Sequence, residues 1–145
     1  TITFVITNVF LFAFLLATGY EFSLKLLLFP FIFYLQQILA FGLGLLSATL
    51  TVFVRDLKEV VGIILQLWFW FTPIVYVSNI LPDFMKKIVV FSPSFIITES
   101  YHRIFVFQSY PAISSMIILT IIAHFLLIAS YVLFRFLEKD VRDFL

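Results

Sequence analysis

The chain has 145 residues, of which 63% are hydrophobic and only 12% charged, and its mean hydropathy is +1.18. Soluble domains are about half apolar and a quarter charged, so one core of this size could not bury so much apolar surface, and we expect lipid around most of the chain. The net charge of +1 gives no indication of a nucleic-acid or strongly acidic partner, and the absence of cysteine excludes disulfides and thiolate metal sites.

Four apolar segments are predicted to cross the membrane as helices, each of which needs roughly 20 apolar residues. Pro30 suits the first turn of the second span, where its missing N–H costs nothing. The residues before it, which include Lys25, form a short interfacial approach. The sequence therefore predicts an all-α polytopic membrane protein with one transmembrane domain over 1–145 and spans near 1–19, 30–54, 60–77 and 112–134.

The second span contains small residues at four-residue spacing, a pattern that lets helices approach closely in lipid. These residues are Ala40, Gly44 and Ala48, and we favour packing within the chain over a subunit contact. Gln36 and Gln37 are polar groups at membrane depth, so they are expected to face protein or water rather than hydrocarbon.

The third and fourth spans contain further side chains of types that are common at membrane interfaces and in contacts between helices. Trp68 and Trp70 are two positions apart and must point to different helix faces. Thr72 and Pro73 are expected to kink the third span, and Tyr76 fits an interfacial aromatic belt. His124 lies inside the fourth span, where a hydrogen bond to a neighbouring helix is more common than a catalytic role.

The segment 78–111 is too charged to span the membrane and too apolar to be a fully hydrated loop. Pro82-Asp83 and Ser92-Pro93 each resemble a helix start, the second as N-cap and first helical position. The pattern predicts two short amphipathic helices that lie in the interface or re-enter the membrane. In the second of them an apolar stripe comprises Ile97, Tyr101, Ile104 and Phe105. Glu99 and Arg103 are four apart on the other face, either as a solvated ion pair or as a latch between the helices.

Four charged residues interrupt the apolar sequence between the second and third spans: Arg55, Asp56, Lys58 and Glu59. With four spans, this cluster and the charged C-terminal residues face the same side. That side carries five Lys and Arg residues in short segments against four on the other, which favours a cytoplasmic location. The cluster is therefore predicted to be a tight cytoplasmic turn.

Three blocks of the chain resemble the permease subunits of ABC-type polysaccharide and polyol-phosphate exporters. The first block covers 53–76, from FVRDL at 53–57 to LQLWFWF and TPIVY at 72–76. The second is the run from Ser92-Pro93 to Arg103, and the third is 136–145. Such permeases usually read Asn-Pro where this chain has Ser92-Pro93, and Tyr-Arg where it has Tyr101-His102-Arg103. A glycine that they often carry near Gln108 is absent here.

The resemblance implies the C-terminal part of a longer type-2 ABC permease with six spans, of which the third to sixth are present. It implies export of lipid-linked O-antigen, capsule or teichoic acid across the bacterial cytoplasmic membrane. The permease would be a homodimer bound to two ATP-binding subunits, without a cofactor, metal or catalytic residue of its own. The segment 78–111 would supply gate helices, including Pro93, Glu99, Tyr101 and Arg103. Arg55 and Asp56 could relay motion from the ATPase.

The polar and aromatic groups of the spans are the candidates for a protein-lined glycan path: Gln36, Gln37, Trp68, Trp70 and Tyr76. The alternative for each is ordinary helix packing or interface anchoring. Two other functions stay open, namely a drug or small-molecule exporter of the same superfamily and a membrane enzyme of lipid-linked glycan assembly. An enzyme would need acids or bases that converge on a polar pocket, whereas the ionisable groups here are spread over turns and ends.

Overall fold

The computed structural model describes residues 2–17, 19, 24–54, 56–72 and 91–144. In this part of the chain every regular element is helical, which confirms the predicted all-α class. The α-helices are α1 (Ile2–Ala17), α2 (Phe29–Phe53), α3 (Leu57–Phe71), α4 (Pro93–Phe105) and α5 (Ile113–Phe144), and a 3₁₀ helix (Leu24–Leu28) leads into α2.

The ends of α2 follow from local backbone chemistry. Pro30 lies in its first turn, as predicted, because that turn contains N–H groups that have no partner within the helix. Val54 is extended, and its amide still donates to the carbonyl of Leu50 at 3.1 Å. The carbonyl of Asp56 then accepts the amides of Glu59 and Val60 at 3.1 and 3.2 Å, which starts α3. A short turn therefore joins the two helices, as the charged cluster predicted.

Helices α2 and α5 lie side by side and run in the same direction. The Tyr34 and His124 rings have centroids 6.3 Å apart, and further along both helices the Ser130 hydroxyl oxygen lies 2.9 Å from the carbonyl oxygen of Gly42. Higher numbers on one helix thus meet higher numbers on the other. The end of α2 at Phe53 and the charged end of α5 consequently lie at the same end of the pair.

Two segments of the described chain are long and apolar enough to cross a membrane, namely Leu24–Phe53 and Ile113–Lys139. In the most apolar 18-residue stretch of each segment, only 22% and 17%, respectively, is buried inside the protein. A core helix of a soluble protein would be mostly buried, so these surfaces fit a lipid environment instead. Both correspond to predicted spans.

The other two predicted spans are only partly described. Helix α1 has 16 residues and α3 has 15, which is short of the roughly 20 that a perpendicular crossing requires. Residues 73–77, which include Pro73 and Tyr76, lie outside the described part, as does the first predicted helix of the segment 78–111. The four-span topology stays a prediction.

Helix α4 packs against α2 and α5 through its apolar face. Ile96, Ile97 and Ile104 are buried in one cluster with residues of the two long helices, Ile32, Leu35, Leu39, Leu119 and Ala123. Tyr101 and Phe105 pack against the same cluster. The predicted amphipathic helix is thus present, and its apolar stripe contacts the two long helices.

Helix α5 continues for ten residues beyond the predicted end of the last span at 134. Arg135 and Glu138 form an ion pair in the first turn of this extension, with Nη1 and Oε2 3.1 Å apart. The charged tail is therefore a helical projection rather than an irregular end.

Candidate functional site

The start of α4 is tied to α3 by a side-chain hydrogen bond. Ser92 is the N-cap residue and Pro93 the first helical residue, as the sequence predicted, and the Ser92 carbonyl accepts the Ile96 amide at 3.0 Å. The Ser92 hydroxyl does not cap the helix. It accepts the indole N–H of Trp68 at 3.1 Å instead, so the residue links two helices.

The middle of α4 is tied to α2 by a second hydrogen bond. The Tyr101 hydroxyl donates to Oε1 of Gln36 at 2.7 Å, and both side chains are half-buried. The Tyr101 ring also lies 5.9 Å from that of Phe29 at the start of α2. The predicted path candidate Gln36 and the predicted gate residue Tyr101 are therefore brought together.

Glu99 and Arg103 form the ion pair that their spacing predicted, with Arg103 Nε 2.9 Å from Glu99 Oε1. Their side chains are 31% and 39% exposed, so the pair borders solvent or lipid headgroups. Both residues lie on α4, and the proposed latch to another gate helix stays a prediction.

Two of the other path candidates, Gln37 and Trp70, lie on surfaces of the described structure. Gln37 is half-buried in a groove of about 450 Å³ between α2 and α5, lined also by Tyr34, Ile38, Ala40, Phe41 and Leu127. Trp70 is 70% exposed, with its ring edge-on to Phe69. Trp68 and Trp70 thus point to different faces, as predicted. Tyr76 lies outside the described residues.

The loop after α4 contains a residue in a left-handed conformation, Gln108, with φ of 43°. Next to it the Ser109 amide donates to the carbonyl of Arg103 at 2.7 Å, which closes the end of the helix. Lys25 donates from Nζ to the Gln108 carbonyl and lies 5.4 Å from the centre of the Tyr110 ring. The Lys25 ammonium thus joins the approach to α2 with the approach to α5.

The charged turn residues that the structure describes are exposed: Asp56, Lys58 and Glu59. Glu59 lies in the first turn of α3, where a negative charge is favourable next to the positive end of the helix dipole. Lys58 borders a shallow groove of about 340 Å³ between α2 and α3, with Ser47 and Thr51. Arg55 lies outside the described residues, and the relay from an ATPase stays a prediction.

The close approach of α2 and α5 at Gly42 was not predicted from the sequence. A Cβ on Gly42 would lie 3.1 Å from the backbone nitrogen of Leu127, whereas one on Gly44 would have nothing within 4 Å. Ala40, Gly44 and Ala48 are exposed, so within the described chain the expected packing of this stripe is not formed. A single glycine on the opposite face makes the contact.

The hydrogen-bond partner expected for His124, a neighbouring helix, was also wrong. Its Nδ1 lies 2.8 Å from the carbonyl of Thr120 in the same helix, so the hydrogen bond is within α5 rather than to a neighbour. The contact to the neighbouring helix is between rings, with Tyr34 of α2.

Two curated proteins are similar to part of the chain. An O-antigen export system permease protein RfbA from Klebsiella pneumoniae is 33% identical over 70 residues, which is 48% of this chain and 27% of that protein. A second RfbA permease from the same species is 36% identical over 58 residues, which is 40% of this chain and 22% of that protein. No protein-family model matches. The resemblance that the motifs indicated is confirmed, and the chain spans about a quarter of the length of the curated relatives it matches.

Proposed function

We propose that the chain is part of the membrane-spanning permease subunit of an ABC-type exporter. The exporter moves a lipid-linked polysaccharide across the bacterial cytoplasmic membrane, and a separate ATP-binding subunit hydrolyses the ATP. The similarity to the two RfbA permeases carries this proposal, because both are named as O-antigen export permeases. The two exposed apolar helices agree with it, since they fit a subunit whose solvent is lipid.

The physical task explains why such a protein combines apolar helices with a few polar groups. A glycan must pass an apolar slab of roughly 30 Å, and each unpaired polar group in hydrocarbon costs about 2–7 kcal/mol. The path must therefore be lined by protein. Its lining is drawn from Gln36, Gln37, Trp68, Trp70 and Tyr76, whose amides and aromatic faces can contact sugars.

The segment around α4 is the gate of this path. It is amphipathic, and two hydrogen bonds connect it to two different helices, from Tyr101 to Gln36 and from Trp68 to Ser92. A helix held in this way can change position without leaving the membrane interface. The permease acts as a homodimer with two ATP-binding subunits, as the resemblance to this class of exporter implies.

Export by the complete permease with its ATPase in proteoliposomes tests the function. We expect ATP-dependent translocation of a lipid-linked glycan, and no translocation when the phosphate-loop lysine of the ATPase is replaced by alanine. Transport of small drugs with no effect on the glycan would overturn the proposal in favour of a drug exporter. Chemical modification of the glycan without translocation would identify a membrane enzyme instead.

The path residues are tested separately in the same assay. Gln37→Leu and Trp70→Ala remove an amide and an aromatic face, and Ile63→Ala, at an exposed position of α3, is the control. We expect the first two to slow export by several-fold and the control to leave it unchanged. Normal export by every variant in the candidate set would reject the path assignment.

A further inference from the structure

We propose that the groove between the start of α2 and the start of α5 is a binding site for a membrane phospholipid with an anionic headgroup. An acyl chain lies in the groove, and the headgroup phosphate lies beside Lys25 and Tyr110, whose ammonium and hydroxyl can donate to it. The inference goes beyond the proposed transport function, because it concerns a lipid of the membrane and not the exported glycan.

The groove has apolar side chains on both sides and a volume of about 510 Å³. Ile113, Ile117 and Ile121 line it from α5, and their four-residue spacing places them on one face of that helix. Leu28 and Phe31 line it from the start of α2. All three isoleucines are exposed, so their surface is stabilised by hydrocarbon around it rather than by water.

The length and position of the groove suit one leaflet of the membrane. From Ile113 to Ile121 the helix rises about 12 Å, at roughly 1.5 Å for each residue. One leaflet of hydrocarbon is about 15 Å thick, which is half of the apolar slab. The two segments that are long enough to cross a membrane begin at this end, at Leu24 and Ile113. The groove therefore starts at the level of the headgroups and continues to the depth of the acyl chains.

A positive charge and an aromatic ring lie together at the headgroup end of the groove. Tyr110 lines the groove and is exposed, and the centre of its ring is 5.4 Å from Nζ of Lys25. The hydrogen bond from Lys25 to the Gln108 carbonyl helps to position the ammonium there. Further along, Thr120 also borders the groove, but its hydroxyl donates to the Met116 carbonyl in the same helix at 2.8 Å. The charge is therefore at the mouth, and the part beyond it is apolar.

This arrangement selects the occupant by its chemistry. The ammonium favours a negative group, and the groove favours a hydrocarbon chain attached to that group. An anionic phospholipid combines both in one molecule, and basic pockets between membrane helices bind such headgroups. A helix from elsewhere in the complex would cover the apolar surface, but it would not require a positive charge at the mouth of the groove.

A fluorescent dye in the groove of the complete permease reports which lipid lies next to it. This chain has no cysteine, so Ile113→Cys takes a single bimane dye once any cysteine elsewhere in the permease has been replaced. The host vesicles are phosphatidylcholine with a small fraction of either phosphatidylglycerol or phosphatidylcholine that carries a quenching nitroxide on its acyl chain. Ile128→Cys, which is also exposed on α5 but does not line the groove, is the control position.

At position 113 we expect the nitroxide phosphatidylglycerol to quench about fivefold more effectively than the nitroxide phosphatidylcholine, the preference that one lysine gives an anionic lipid. At position 128 the two lipids should quench equally. Lys25→Gln should remove the preference at 113 and leave quenching by phosphatidylcholine unchanged, which also shows that the groove is intact. Lys25→Arg keeps the charge and Lys139→Gln removes a lysine at the other end of α5, so both should keep the preference.

Equal quenching by the two lipids at 113, or a preference that survives Lys25→Gln, would overturn the inference. Quenching by neither lipid would show that another part of the permease or a second copy covers the groove, which also overturns it. Loss of the preference in excess glycerol 3-phosphate would identify a site for free phosphate esters. Displacement by a lipid-linked glycan at equimolar amount would identify a substrate site, and either result rejects the phospholipid. None of these readouts requires export, so failure of the proposed function is measured separately.

Discussion

The hydroxyl of Ser130 on α5 lies 2.9 Å from the carbonyl oxygen of Gly42 on α2 and 2.7 Å from that of Leu126 in its own helix. Its single proton can be donated to either oxygen. The contact exists because Gly42 has no side chain, so the two backbones can approach closely. In lipid, such close packing replaces the hydrophobic effect as the force between helices. The pairing of α2 and α5 therefore depends on the absence of a side chain at Gly42.

Gly42→Ala is expected to destabilise the pair of helices by about 1–3 kcal/mol, because the added Cβ would meet the backbone of Leu127 rather than a flexible side chain. Gly44→Ala is the matched control in the same helix. Its Cβ meets nothing within 4 Å, and alanine is the better helix former, so stability should be unchanged or slightly higher. Thermal unfolding in detergent measures both. Equal losses for the two variants would contradict the packing described.

The hydrogen bond from Tyr101 to Gln36 is expected to contribute about 0.6 kcal/mol and at most about 1.7 kcal/mol, the range found for such bonds between membrane helices. Tyr101→Phe keeps the ring contacts with Phe29 and Phe105 and removes only the hydroxyl. A double-mutant cycle with Gln36→Leu isolates the coupling between the two side chains. A coupling energy of zero would show that the bond does not hold α4 on α2.

Gln108→Gly is expected to raise stability by up to about 1 kcal/mol, because a side chain in the left-handed region is strained and glycine is not. The bond from Lys25 is made to the backbone carbonyl and is kept in the variant. Phe107→Gly, one position earlier in the same loop and without a positive φ, is the control and should give no gain. A loss of stability in Gln108→Gly would mean that its side chain stabilises the loop.

The ion pair of Glu99 and Arg103 is expected to contribute only about 0.3–0.5 kcal/mol to stability, because both side chains are partly exposed. Glu99→Gln and Arg103→Gln should therefore leave the unfolding temperature within 1–2 °C or so of the parent. A clear loss of export at unchanged stability would support the latch role. Unchanged export and unchanged stability together would identify the pair as a surface contact.

The sequence was most informative where one residue determines local backbone geometry. Pro30 and Pro93 restrict the backbone to conformations found in the first turn of a helix, and both helices start where predicted. The four-residue spacing of Glu99 and Arg103 likewise produced the expected ion pair. Each of these predictions depends on residues within one turn of each other, so no tertiary information was needed.

The contacts between helices could not be predicted in the same way. The stripe of Ala40, Gly44 and Ala48 correctly indicates one face of α2, but spacing alone does not indicate which face meets α5. The isolated Gly42, two positions away, makes the contact. Ser92 was correctly placed as N-cap, yet its hydroxyl accepts from Trp68, which is 24 residues earlier in the chain. The absent glycine near Gln108 was the available signal for the left-handed residue in that loop.

The most direct test of the account is the side of the membrane on which three positions lie. Because α2 and α5 are parallel, Lys58 and Lys139 should face the same compartment and Lys25 the opposite one. Single cysteines at these positions, in the complete permease in sealed inverted vesicles, are labelled with a membrane-impermeant maleimide. We expect Lys58→Cys and Lys139→Cys to react and Lys25→Cys to react only after the vesicles are opened. Labelling of 58 and 139 from opposite sides would contradict the account.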